Sequence, residues 1–80
     1  MKPDDLDWDD LRIALAVAET GSLSAAARSL GLSHSTVLRR LSAFEAKIGV
    51  RLFERQPRGY APTAAGLEAR ETARRMEAEM

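Results

Sequence analysis

The sequence has no cysteine, so no disulfide can brace the fold and no thiolate can hold a metal. That absence also fits a reducing cytosol. Histidine occurs once, at His34. A single imidazole without cysteines or a second histidine does not make a zinc site. No apolar run approaches the roughly 20 residues needed to cross a bilayer. The N-terminus, Met1-Lys2-Pro3-Asp4-Asp5, is acidic and lacks the charged-then-apolar order of a secretion signal. No phosphate-binding glycine loop, paired-carboxylate site or nucleophile–base–orienter set is visible, so neither an enzyme nor a cofactor is expected. With 80 residues the chain forms one small domain. A domain of that size buries only about 60% of its unfolded surface and has little room for a catalytic pocket and its supporting shell. The expectation is a soluble, cytoplasmic, mainly α-helical domain.

Net charge is also lacking: 12 basic and 12 acidic side chains cancel. The distribution is uneven, however. Residues 1–27 carry two basic and six acidic side chains, net −4. Residues 28–58 carry seven basic and two acidic ones, net +5, and residues 59–80 carry three and four, net −1. A basic middle segment in a neutral chain is what a one-sided phosphate-binding surface requires. The acidic Asp4–Asp10 cluster either complements a helix N-terminus or repels DNA from the wrong face.

Helical periodicity divides most of the chain. A first helix is predicted from about Trp8 to Glu19, with Asp7 as N-cap and a core stripe of Trp8, Leu11, Leu15 and Ala18 beside Ala14. Gly21 ends it. A second, short helix runs from about Leu23 to Leu30, capped by Ser22, with Leu23, Ala26, Ala27 and Leu30 on one narrow face. After Gly31-Leu32, Ser33 caps a third helix whose buried face is Val37, Leu41, Phe44 and Ile48, ending at Gly49. Residues 50–62 lose the helical period. Val50, Leu52 and Phe53 suit a strand, and Gln56-Pro57-Arg58-Gly59 is a turn signal, so a small hairpin or wing is expected. A last helix starts near Thr63 and runs to the end, with Gly66 costing about 1 kcal/mol of helix propensity against alanine. Ala69, Ala73, Met76 and Met80 recur at spacings of 4, 3 and 4, which reads as a thin dimerisation seam, with core packing the alternative for the Met76 and Met80 stripe.

Two short helices joined by Gly31-Leu32-Ser33 form a helix-turn-helix pattern. The turn needs a glycine, the first helix must be slim, and the second must be amphipathic so that its N-terminal turn fits the major groove, about 12 Å wide. The outward residues of that second helix are Ser33, His34, Ser35, Thr36, Arg39 and Arg40. Hydroxyls bond phosphates or base edges at close approach, and an arginine can grip a guanine edge in bidentate fashion. A solvated helix face would have a similar composition; the slim helix, the glycine turn and the downstream wing favour DNA contact. Arg55 and Arg58 flank the predicted turn and are expected on a minor groove or on phosphates. A module that only binds protein through residues 63–80 is the competing reading, but it has no use for a segment of net charge +5.

At these residues the chain resembles the N-terminal domain of a LysR-type transcriptional regulator. The resemblance runs through Leu11, Val17-Ala18-Glu19, Gly21-Ser22-Leu23, Ala26-Ala27, Leu30, Ser33, Arg39, Leu41 and Arg58-Gly59, and is most specific over the run from Glu45 through Gly49-Val50-Arg51-Leu52-Phe53-Glu54-Arg55 to Thr63-Ala64-Ala65-Gly66. It implies a winged helix-turn-helix over residues 1–62, a three-helix core plus small β wing, followed by a linker and dimerisation helix over 63–80. The recognition helix, about 34–48, would lie in the major groove, and the wing, about 50–62, on the minor groove or phosphates. Thr63 is counted among the DNA-binding candidates. The implied partners are double-stranded DNA and a second copy of the chain through the linker helix, with no membrane. A small-molecule effector is implied only for the family's C-terminal domain, which these 80 residues do not contain. The chain departs from the commoner pattern at His34, Ser35, Leu38 and Arg40, where Gln, Pro, Ser and Gln are frequent, so base preference does not carry over. Leu38 is expected either to be partly buried or to touch a thymine methyl. Ala14 stands where a large aromatic is frequent, which thins the core.

Overall fold

A computed structural model describes residues 7–79. The element order is α1 (Trp8–Thr20), α2 (Leu23–Leu30), α3 (His34–Ile48), β1 (Phe53–Gln56), β2 (Gly59–Pro62) and α4 (Ala64–Ala78). All four helices start at the expected caps. The side chains of Asp7, Ser22, Ser33 and Thr63 accept from the backbone N–H groups of Asp9, Ala25, Thr36 and Gly66. Each satisfies a donor that the first helical turn leaves orphaned.

The core is one cluster. Leu11, Val17, Val37, Leu52 and Phe44 lie at its centre with at most 1% of their surface exposed. Full burial of a side chain of this kind contributes about 1.5–3 kcal/mol. The α3 face of Val37, Leu41 and Phe44 is buried as its spacing predicts, with Ile48 packed at the margin. α1 departs from its expected single stripe, because Ile13, Ala14, Leu15, Ala16 and Val17 are buried in succession. The reason is its position: α1 touches α2 and α3, and also α4 and β2, so it is covered round most of its circumference.

The corner between α2 and α3 is closed by the backbone. Gly31 takes φ 70°, which lets the Leu32 N–H donate to the Ala27 carbonyl at 2.9 Å. This six-to-one bond ends α2 and redirects the chain into Ser33.

The seam expected on the last helix points the other way. Ala69 and Ala73 have no exposed surface, and Met76 packs against the same core; Met80 lies outside the described residues. The face is occupied by α1 of the same chain, so α4 completes the domain that was expected to end at residue 62. Gly66 also has a different role from the one expected. A Cβ there would overlap the Leu52 carbonyl oxygen, so its missing side chain is what seats α4 against the start of the wing.

Candidate nucleic-acid interface

The N-terminal turn of α3 carries a chain of hydroxyls. The Ser33 hydroxyl accepts from the Thr36 N–H at 3.2 Å and donates to Thr36 Oγ1 at 2.8 Å. Ser35 Oγ lies 3.3 Å from Ser33 Oγ. The Thr36 hydroxyl proton has no acceptor among the described residues, so it remains available to an incoming oxygen. Ser33, His34, Ser35 and Arg39 are exposed, and Thr36 and Arg40 are half-buried. Spacings of four place Ser35 beside Arg39 and Thr36 beside Arg40, so each hydroxyl of this pair is followed by a guanidinium one turn later. The helix N-terminus adds a partial positive charge at the same place.

The wing is a two-stranded antiparallel hairpin in the register Phe53↔Pro62, Glu54↔Ala61, Arg55↔Tyr60 and Gln56↔Gly59. Pro57 and Arg58 form its tip, and Arg55 and Arg58 are both exposed. The Arg55 guanidinium lies 6.0 Å from the centre of the cross-strand Tyr60 ring, at the outer limit of a cation–π contact.

A groove of about 220 Å³ separates the wing from α3. Leu38, Glu45, Arg51, Arg55 and Tyr60 are among the residues that line it. Leu38 is half-buried there, which fits the first of its two expected roles.

Ion pairing divides the cations. Lys47 pairs with Asp10 at 3.5 Å, Arg74 with Glu19 and Glu71, and Arg70 with Glu71. Among the described residues, Arg28, Arg39, Arg40, Arg51, Arg55 and Arg58 pair with no carboxylate; outside this segment, Arg12 and Arg75 also lack one. Among the described residues, then, six of the seven basic side chains of the middle segment lie outside any ion pair. Arg28 and Arg51 were not distinguished from the sequence beyond their contribution to the charge count. Their signal is only visible once their unpaired state is known.

Thr63, expected among the DNA contacts, is occupied within the chain. Its hydroxyl donates to the Arg51 carbonyl at 2.7 Å and accepts from the Gly66 N–H at 3.1 Å, while its own N–H donates to the Leu52 carbonyl at 2.9 Å. Glu45, given no role from the sequence, is also engaged. Its carboxylate accepts from the backbone N–H groups of Leu52 at 2.6 Å and Phe53 at 3.2 Å. Its sequence signals are its place in the family resemblance and a carboxylate beside the buried Phe44 in a mostly basic stretch.

Three comparisons bear on this arrangement. The family described as bacterial regulatory helix-turn-helix protein, lysR family, has a model that matches residues 8–67. An uncharacterized HTH-type transcriptional regulator of Mycobacterium tuberculosis is 53% identical over 64 residues, covering 80% of this chain and 20% of that protein. The HTH-type transcriptional regulator ClcR of Pseudomonas putida is 45% identical over 71 residues, covering 89% of this chain and 24% of that protein. The chain thus spans a fifth to a quarter of the length of these relatives. Among solved structures, the DNA-binding domain of CbnR in complex with DNA is similar at a TM-score of 0.83 and 42% identity, covering 90% of this chain and 83% of that one. No helix among the described residues is long and apolar enough to cross a membrane.

Proposed function

The chain belongs to the lysR family of bacterial regulatory helix-turn-helix proteins, as a DNA-binding domain, and from that premise we propose how it reads a duplex. α3 lies in the major groove with Ser33, His34, Ser35 and Thr36 leading and Arg39 and Arg40 one turn behind. Arg39 grips a base edge, and the hydroxyls and the helix N-terminus hold phosphates. The wing places Arg55 and Arg58 on the adjacent minor groove or its phosphates. The six unpaired arginines of residues 28–58 carry this reading. Solvated guanidiniums of one sign, free of competing carboxylates, are the condition for counterion release on DNA.

Two copies act together on an inverted-repeat-like site. Because the Ala69–Ala73 face is spent on the chain's own core, pairing uses the outward face of α4, where Ala64, Leu67, Glu71 and Ala78 are exposed. The whole protein is a cytoplasmic transcriptional regulator, not an enzyme, and its small-molecule effector acts on a separate C-terminal domain. The reading is tested by titrating duplex binding against salt. Six phosphate contacts per copy would set a log–log slope of about −5, and contacts to base edges reduce it. A slope steeper than about −2 is the expected result, and no measurable duplex binding at low salt would overturn the reading.

A further inference from the structure

We propose that Glu45 is a positioning residue for DNA binding: it holds the wing at a fixed offset from α3, so that Arg55 and Arg58 reach the duplex only while its carboxylate grips the Leu52 and Phe53 N–H groups. The inference rests on the reading of the interface given above. Its basis is a pair of bonds from one oxygen. Glu45 Oε2 accepts at 2.6 and 3.2 Å from two successive amides at the point where the chain leaves α3 and becomes β1. Residues 49–52 lie between the end of α3 and the strand and have no ladder partner of their own. Without Glu45, the first strand would be tied to the recognition helix through that short connection and its core residues alone.

The electrostatics favour the same conclusion. Glu45 lines the groove that Arg51 and Arg55 share, within the most basic part of the chain. A carboxylate beside a phosphate-binding surface opposes binding by its charge. It is tolerable here because both recorded bonds of Oε2 turn that charge onto the backbone, where a charged acceptor makes stronger bonds than a neutral one. The second strand has its own anchor, since the Tyr60 N–H donates to the Gly21 carbonyl at 2.9 Å. The hairpin is thus held by α3 through β1 and by the α1–α2 corner through β2. The Glu45 hold lies at the base of the wing, at Leu52 and Phe53, and the Gly21 hold lies at Tyr60, opposite Arg55 and close to the tip, so Glu45 sets where the hairpin leaves α3 while Gly21 supports its outer end.

A hydrogen-bonded support near a binding surface can be merely structural, so the test is a double-mutant cycle on duplex binding in the 80-residue chain. Glu45→Ala should lower the magnitude of the salt slope by about two, one for each wing arginine released. Adding Arg55→Ala and Arg58→Ala to Glu45→Ala should weaken binding less than about twofold further, because those contacts are already gone. Adding Arg39→Ala should keep its full effect, roughly 5- to 150-fold. Glu45→Gln retains an acceptor oxygen and should restore a slope within about 0.5 of the parent. Full additivity of Glu45→Ala with the wing changes would overturn the proposal while leaving DNA binding intact. So would an equal loss of the Arg39 effect, which marks general unfolding. Should Glu45→Ala not fold, Glu45→Gln decides alone: a parent slope with protected Leu52 and Phe53 amides in hydrogen exchange supports the proposal, and a parent slope with unprotected amides overturns it. Absence of duplex binding by the parent chain would overturn this inference together with the reading beneath it.

Discussion

Gly66 lies in the first turn of α4, facing the Leu52 carbonyl oxygen and 3.1 Å (as an added Cβ) from the Pro62 Cβ. Helix propensity taken alone says that Gly66→Ala stabilises the domain by about 1 kcal/mol. The packing gives the opposite sign. The new methyl would overlap a backbone oxygen, and backbone cannot rotate aside as a long side chain can. Overpacking of this kind costs about 1–3 kcal/mol. The same carbonyl accepts the Thr63 N–H at 2.9 Å, so moving it strains a bond worth about 0.5–1.5 kcal/mol. After the propensity gain, the net expectation is a loss of about 2 kcal/mol, or a melting temperature lower by roughly 8–16 °C for a domain of this length. Thermal unfolding followed by far-ultraviolet circular dichroism measures it directly. A melting temperature equal to or above that of the parent chain would refute the close approach and return Gly66 to a simple propensity cost.

Three further outcomes follow from the same geometry. Ala73→Asp places a charge at a position with no exposed surface, which costs several kcal/mol and should abolish folding; a folded variant in circular dichroism would move Ala73 out of the core. Leu67→Glu alters a side chain that is 41% exposed, so stability should change by no more than about 0.5 kcal/mol while self-association weakens; unchanged association in sedimentation equilibrium would exclude the outward face of α4 as the pairing surface. Arg39→Ala should relax base preference in selections from random duplexes and cost about 1–3 kcal/mol; equal weakening on all sequences would identify Arg39 as a phosphate contact.

The helices were legible because their ends carry their own chemistry. Asp7, Ser22, Ser33 and Thr63 each accept from an amide two or three residues on, and such local bonds depend on little beyond the neighbouring sequence. The turn at Gly31 and the hairpin tip at Pro57-Arg58 were legible for the same reason. What escaped is long-range. Glu45 meets amides seven and eight residues away, and Tyr60 meets a carbonyl thirty-nine residues away. No periodicity within one element records that a polar group is shared with another. The unpaired state of Arg28 and Arg51 is likewise a property of the assembled surface, since composition fixes how many charges exist and only packing decides which ones meet.

The α4 stripe shows where such reasoning misleads. Ala69, Ala73 and Met76 recur at the spacing of a packing seam, and the seam is real, but spacing records only that a face is covered. It does not say by whom. The small side chains should have decided the question. An alanine seam between two free helices buries little apolar area, so it would make a weak dimer interface, whereas alanines facing α1 let two helices of one chain approach closely while the larger Leu11, Ile13 and Leu15 supply the buried area. A domain of 80 residues without a disulfide also has no surplus core and must use a fourth helix to cover α1. In the proposed pairing, the contact would therefore fall to what remains exposed on α4. Leu67 is the one large apolar side chain exposed there, so the strength of pairing in the isolated domain should track that single residue.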